Sequence, residues 1–348
     1  MSMKNTTPTL TLPLKGREPN SPSPSGGRSG WGWLFLTATL LSSPISAQTW
    51  KPQRHVEIAS PAGAGGALDS TTRITEKLLQ DMKLLQVTSS VVNRSGGEHA
   101  LAYNHIRQRT GDPHQLSFAS PVLLANHITG VLPMTYTDVT PVACLISEYY
   151  VFAVRSDAPV KTGKDLVEML KASPDSMSIA VGTLLTRIAA GLPLHASNVD
   201  LKRTKIVVFS GAAKQTLTAA GGHVDVAVAP LVQVLPFIEG GKMRVIAVTS
   251  PQRMGGILAN VPTWAEQGIE GASAETWRCV IAPKDITAPQ IAFWEDALRK
   301  VTEHDEFRKA GERNQWDIRF RGAAETRKFM AAEYERMKRV TSALGLVK

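Results

Sequence analysis

From Thr49 onward, short β-branched runs alternate with helical stretches, and this alternation restricts the fold more than any other feature of the chain. "HVEIAS" (55–60), "QVTSSVVN" (86–93) and "QLSFASP" (115–121) read as strands. Between and after them, "LDSTTRITEKLLQDM", "EHALAYNHIRQR" and "VLLANHI" read as helices, the first with Ile74, Leu78 and Met82 on one face. Strands linked through helices in this way form a parallel sheet covered by helices, an α/β fold. Further short strands are predicted at 177–182, 204–209, 224–229 and 243–250, again separated by helices. Two β-rich runs, "VACLISEYYVFAVR" (142–155) and "AETWRCVIAP" (274–283), suit strands that cross between two such units. Thr162 with Asp165, and Thr287 with Gln290, have capping-box spacing at helix starts. The last helix carries Phe329, Met330, Tyr334, Met337 and Leu344 as its apolar stripe.

"PAGAGGALD" (61–69) places glycines at a strand end and a carboxylate at the helix start. It is not a dinucleotide fingerprint, because Leu68 stands where the third glycine belongs, and no G-K-[ST] makes it a phosphate-binding P-loop. Two readings stay open. One is an anion nest, in which backbone N–H groups at the positive end of a helix approach a ligand without interference from Cβ. The other is a tight turn with no ligand. Asp69 would cap the helix or order the loop. Similar constructions recur at other strand ends, each readable on its own as a helix cap: Ser120 with Pro121, Thr183 and Thr186 after Gly182, and Ser210, Gly211 and Ala212. Open α/β sheets bind ligands at such ends.

Composition narrows the function. Residues 1–47 hold Lys4, Lys15, Arg17 and Arg28 against Glu18, so they supply three of the nine net positive charges. The remainder is mildly basic, without a Lys/Arg block or interleaved aromatics, which points away from nucleic acid. No H-E-x-x-H or G-x-S-x-G is present, and the eight histidines include no helical ligand pair. The chain therefore gives no sign of a metal, a cofactor or a local catalytic motif.

Residues 1–30 are rich in Pro, Ser, Gly and Thr and lack periodicity. The segment 31–47 that follows has a basic flank at Arg28, about ten apolar residues and a small-residue end, as a secretory signal peptide has. It is too short to span a bilayer. Cleavage is expected after Ala47, with Ile45 an unusual residue two positions before it, and translation is expected to start downstream of Met1. The two cysteines, Cys144 and Cys279, allow one disulfide in an oxidising compartment or two buried thiols.

In order along the chain, "PAGAGGALD", "VVNRSGGEHALAY", "DVTPVACL", "VKTGKDL", "GGHVDVAVA", "GGKMRVIAVTSPQR" and "NVPTWAEQG" resemble the substrate-binding proteins of tripartite tricarboxylate transporters, the Bug family. The resemblance implies a periplasmic binding protein of type II-like fold, two α/β lobes joined by crossing hinge strands. It assigns 48–147 and 275–348 to one lobe and 148–274 to the other. It also implies a monomer that binds a small organic anion, usually a carboxylate, for membrane permease subunits. The matched site residues are Ala62, Ala64, Gly65, Gly66, Asp69, Ser120 and Pro121 from the first lobe, and Thr183, Thr186, Ser210, Gly211 and Ala212 from the second. Trp277 is expected near the cleft floor. The implied crossing strands contain both cysteines, which favours their pairing.

Two departures from the family pattern stand out. The loop after Gly182 is short and carries Leu184, Leu185 and Arg187, and Ala229 and Pro230 occupy positions where polar contacts are common. The alternatives are an aromatic or aliphatic carboxylate as ligand, Arg187 supplying the lost donors, or binding that has decayed. Two other classes of function remain at this point: an exported enzyme acting on an anionic substrate, and a sensor or adaptor without ligand affinity.

Overall fold

One strand organises the molecule. In the computed structural model, which describes residues 50–209 and 212–347, residues 139–149 of this strand pair with one set of neighbours and residues 150–155 with another. The predicted leader and signal segment, together with Ser210 and Gly211, lie outside the described residues.

The expected alternation is present. β1 (Val56–Ser60), α1 (Ala67–Asp81), β2 (Ser89–Asn93), α2 (Ala100–Arg107), β3 (Gln115–Ala119) and α3 (Val122–Ile128) precede the long β4 (Val139–Arg155). Then come α4 (Gly163–Ala172), β5 (Ser178–Val181), α5 (Leu184–Ala196), β6 (Lys205–Val208), α6 (Ala212–Ala220), β7 (Val226–Pro230), α7 (Leu231–Glu239) and β8 (Met243–Val248). β9 (Glu275–Pro283), α8 (Ala288–Glu303), α9 (Asp305–Asn314), β10 (Asp317–Arg321) and α10 (Ala323–Ala343) complete the chain. Both expected capping boxes form: the Thr162 hydroxyl accepts the Asp165 N–H at 3.1 Å while Asp165 accepts the Thr162 N–H at 2.9 Å, and Thr287 with Gln290 does the same.

The strand order is β2-β1-β3-β9-β4-β7-β5-β6, with β8 and β10 also paired to β4. Pairing is parallel within β2-β1-β3 and within β7-β5-β6, as helical crossovers require, and antiparallel wherever β4 or β9 takes part. β4 is therefore the expected crossing strand. It pairs with β9 up to Tyr149, with β7 from Tyr150 and with β8 from Val151. β9 is also a strand, but among the described residues its ladders involve only β3 and the first part of β4. The return of the chain is fastened by Thr249: its hydroxyl accepts the Tyr150 N–H at 2.9 Å and donates to the Ala274 carbonyl at 2.6 Å.

The sheet separates apolar layers. Leu78, Leu79, Phe118, Trp294 and Phe307 fill the layer under α1 and α8. On the other face, Tyr103, Leu123, Leu124, Phe152, Ile188, Trp277, Met330 and Met337 make a second layer, into which α10 sends the stripe expected of it. Cys144 and Cys279, directly opposite in the β4–β9 register, form a disulfide, which settles the choice left open by the sequence.

Candidate ligand-binding site

The glycine loop is held by the carboxylate that ends it. Asp69 is 1% exposed, and its oxygens accept the Gly65 N–H at 2.9 Å, Arg73 Nε at 2.8 Å and Asn93 Nδ2 at 2.6 Å. Asn93 also donates to the Ala62 carbonyl, which ties the loop to the end of β2. Burial pushes the Asp69 carboxyl up, but the hydrogen bonds from Arg73, Gly65 and Asn93 outweigh it, and the net result lies below the usual aspartate value. Gly65 has φ +77°, a conformation that favours glycine.

With Asp69 engaged in this way, α1 starts without a cap. Gly66 is its N-cap residue, and among the described residues no side chain caps it. The N–H groups of Ala67, Leu68 and Asp69 have no acceptor among the described residues. Gly63, Ala64 and Gly65 are exposed, and Ala62 and Gly66 are half-buried. A helix of 15 residues thus presents its positive end beneath an open, carboxylate-braced loop.

Of the other sequence-predicted residues, Ser120 and Thr183 fall just past strand ends that lead to the partner switch in β4. Continued past their last pairs, the registers bring Ala62 and Ser120 level with Ile146, and Thr183 and Pro230 level with Tyr150. α3 packs against α5, so the segments that follow Ser120 and Thr183 meet. The Ser120 hydroxyl accepts the Val122 N–H at 3.4 Å, and its own N–H donates to the Tyr103 hydroxyl at 3.3 Å. Burial pushes the Tyr103 phenol up to about 12, so it stays protonated at neutral pH. Pro121 starts α3 and is buried.

Two of the expected site residues are turned away from any open surface. Thr186 is 2% exposed and its hydroxyl is turned into the loop, where it accepts the N–H groups of Gly182 at 3.0 Å and Thr183 at 2.9 Å. The Thr183 hydroxyl accepts the Thr186 N–H in return, so these threonines cap α5 and only Thr183 remains exposed. Trp277 is fully buried. Alternation along β9 turns it, with Cys279 and Ile281, into the layer under α10, where it meets Phe329 edge-on at 6.1 Å. It lies under the convergence of strand ends and not on its surface. Leu184 and Leu185 are half-buried against the layer shared by α3 and α5. Ser210 and Gly211 lie outside the described residues, and Ala212 begins α6.

Sequence reading missed two buried charges at this place. Arg278 and Glu148 are 3% and 7% exposed and form an ion pair beneath the start of α1. The available signal was a charge deep inside each of the two apolar crossing runs, Glu148 within 142–155 and Arg278 within 274–283. Among the described residues, no cluster of His, Cys, Asp and Glu is placed to hold a metal. A cavity of about 930 Å³ lies away from the glycine loop, between the 250–256 segment and the α9–β10 region.

Comparison with known proteins decides the affiliation. A family model described as the tripartite tricarboxylate transporter family receptor matches residues 75–346. The chain belongs to this family. It is 24% identical to the Bordetella pertussis protein BugT over 262 residues, covering 74% of this chain and 78% of BugT. It is 26% identical over 271 residues to an Agrobacterium vitis protein from the ttuE-ttuC' intergenic region, covering 76% of each. Among solved structures it is similar to a TctC solute-binding protein from Polaromonas without ligand (TM-score 0.72, 23% identity, 84% of this chain and 99% of that one). It is also similar to MatC from Rhodopseudomonas palustris with bound malate (TM-score 0.67, 20% identity, 84% and 99%). An R. palustris protein with adipate gives a TM-score of 0.72 at 20% identity, covering 84% and 98%. The fold of this receptor-family chain is thus the α/β, type II-like fold of periplasmic binding proteins, and the family is one of solute-binding receptors.

Proposed function

We propose that the chain is an exported, monomeric solute-binding protein that captures a small carboxylate between two lobes and delivers it to the membrane permease of a tripartite tricarboxylate-type transporter. The observation that carries this reading is the uncapped first turn of α1 beneath a glycine loop whose only carboxylate is already engaged. Backbone donors at a helix N-terminus bind a carboxylate without requiring an arginine in contact with it. Residues 48–147 and 275–348 would form one lobe and 148–274 the other, moving about the switch at Tyr149 and Tyr150. Carboxylates bound to solved relatives support the ligand class, and the basic flank and apolar run at 31–47 support export.

The test is a thermal-shift series on the chain from Gln48 onward, which forms a compact unit of its own, against mono-, di- and tricarboxylates. A ligand that binds only the folded state adds about 2.7 kcal/mol at a hundredfold excess over Kd. One acid class should raise the midpoint in a dose-dependent way, and Gly65→Val should abolish the shift. If no acid shifts a cooperative transition, carboxylate capture is wrong. The reading then favoured is a sensor or adaptor without ligand affinity, consistent with the satisfied amides of Gly182 and Thr183 and the apolar Leu184 and Leu185.

A further inference from the structure

Arg278 is a cation placed where cations are costly. Its side chain is 4% exposed within β9, and alternation turns it to the face covered by α1 and α8, opposite Trp277 and Cys279. Four neighbours accommodate it. Nη2 donates to the Glu148 carboxylate, and Nη1 donates to the Thr71 hydroxyl and to the Ala67 carbonyl, the last at 2.6 Å. The Trp316 ring lies over the guanidinium, 5.6 Å from Cζ to the centroid.

The Ala67 carbonyl and the Leu68 N–H belong to one peptide unit. Leu68 is the second residue of α1, and its N–H is among those without an acceptor in the described residues. When a peptide oxygen accepts a hydrogen bond from a cation, electron density leaves the amide and its N–H becomes a stronger donor. We propose that Arg278 is a positioning residue that acts through this peptide: it polarises the Ala67–Leu68 unit and strengthens the Leu68 N–H toward a bound carboxylate, while Glu148 attenuates the effect. The inference rests on the glycine loop being the anion site. It adds a full buried charge behind the partial charge of the helix end, opposed by a carboxylate that mutation can remove separately.

The two possible roles of the pair predict opposite patterns. If the ion pair only holds the fold, removing either partner leaves an uncompensated buried charge, and both substitutions weaken binding alike. If Arg278 polarises the peptide, Arg278→Gln lowers carboxylate affinity by about tenfold, the scale of one charge-assisted contribution. Glu148→Gln raises it, and Arg278→Lys recovers part of the loss. Calorimetric titration with malate and with adipate reads the affinities. Nitrogen-15 NMR of the ligand-free protein reads the peptide directly: the Leu68 amide moves upfield in Arg278→Gln and does not in Glu148→Gln. If Glu148→Gln fails to fold, the neutral pair Glu148→Gln/Arg278→Met is used instead, with binding and a Leu68 shift like those of Arg278→Gln. Affinities that fall in both single variants, or a Leu68 amide unmoved in Arg278→Gln, overturn the proposal. A wild type that binds neither acid counts against carboxylate capture, and the Leu68 shift in the ligand-free protein still decides what Arg278 does.

Discussion

Asp69 shows how one side chain shapes the loop. It satisfies the Gly65 amide, Arg73 and Asn93 together, so that the first turn of α1 keeps its own donors. Asp69→Asn keeps the shape but reverses one donor–acceptor relation and removes the charge, at a cost of about 2 kcal/mol at pH 7. Because the folded-state pKa lies below the usual 3.8, this contribution is complete above that value and is lost as pH falls through the lower one. Urea midpoints of wild type and Asp69→Asn should differ by a constant amount from pH 7 to about 5 and converge in stronger acid. A gap that grows with acid would contradict the assignment. Asp69 was legible in the sequence because glycines and a carboxylate within a few positions are a local signal. Arg278 and Glu148 were not, because they meet only through the register of strands 130 residues apart. Thr183 and Thr186 stand three residues apart, as the other capping boxes do, so their use on each other as a helix cap was also a local signal.

At the scale of elements, legibility followed the range of the forces. The capping boxes at Thr162 and Thr287 were readable because both partners lie within one turn. α9 and β10 were missed. α9 is a short, highly charged helix, and β10 has five residues whose strand character comes from pairing with β4, far away in sequence. Gly163 shows the same dependence on distant contacts. It is the first residue of α4, where alanine would ordinarily improve helix propensity. A Cβ there would lie 2.5 Å from the Trp264 ring and 3.0 Å from the Ala247 methyl. Trp264 has no room to retreat, because it packs edge-on against Phe152 with centroids 4.7 Å apart. Overpacking therefore outweighs the propensity gain, and Gly163→Ala should destabilise by about 1–3 kcal/mol with an unchanged denaturant slope. Equal or higher stability would mean that the α4–Trp264 contact is looser than described.

For the whole molecule, the rhythm of strands and helices was sufficient to predict an α/β fold with a crossing strand, because hydrophobic period and segment length are properties of short windows. The strand order was not legible, nor was the confinement of β9 to one side of the switch, since both depend on which apolar edges find each other. The cysteines belong to this scale. Pairing of Cys144 with Cys279 closes a separation of 135 residues, and the loop-entropy model puts its stabilisation at up to about 5 kcal/mol. The bond joins strands already in register, so reduction should leave the native pairing intact and act chiefly by freeing the unfolded chain. Denaturant midpoints measured with and without reductant should differ, while far-ultraviolet circular dichroism of the folded protein stays the same. The Tyr150, Thr249 and Ala274 bonds that fasten the switch involve neither cysteine, so they should survive reduction and keep the two parts of β4 in place. Identical midpoints, or loss of the folded spectrum on reduction alone, would show that the crosslink does not have this role.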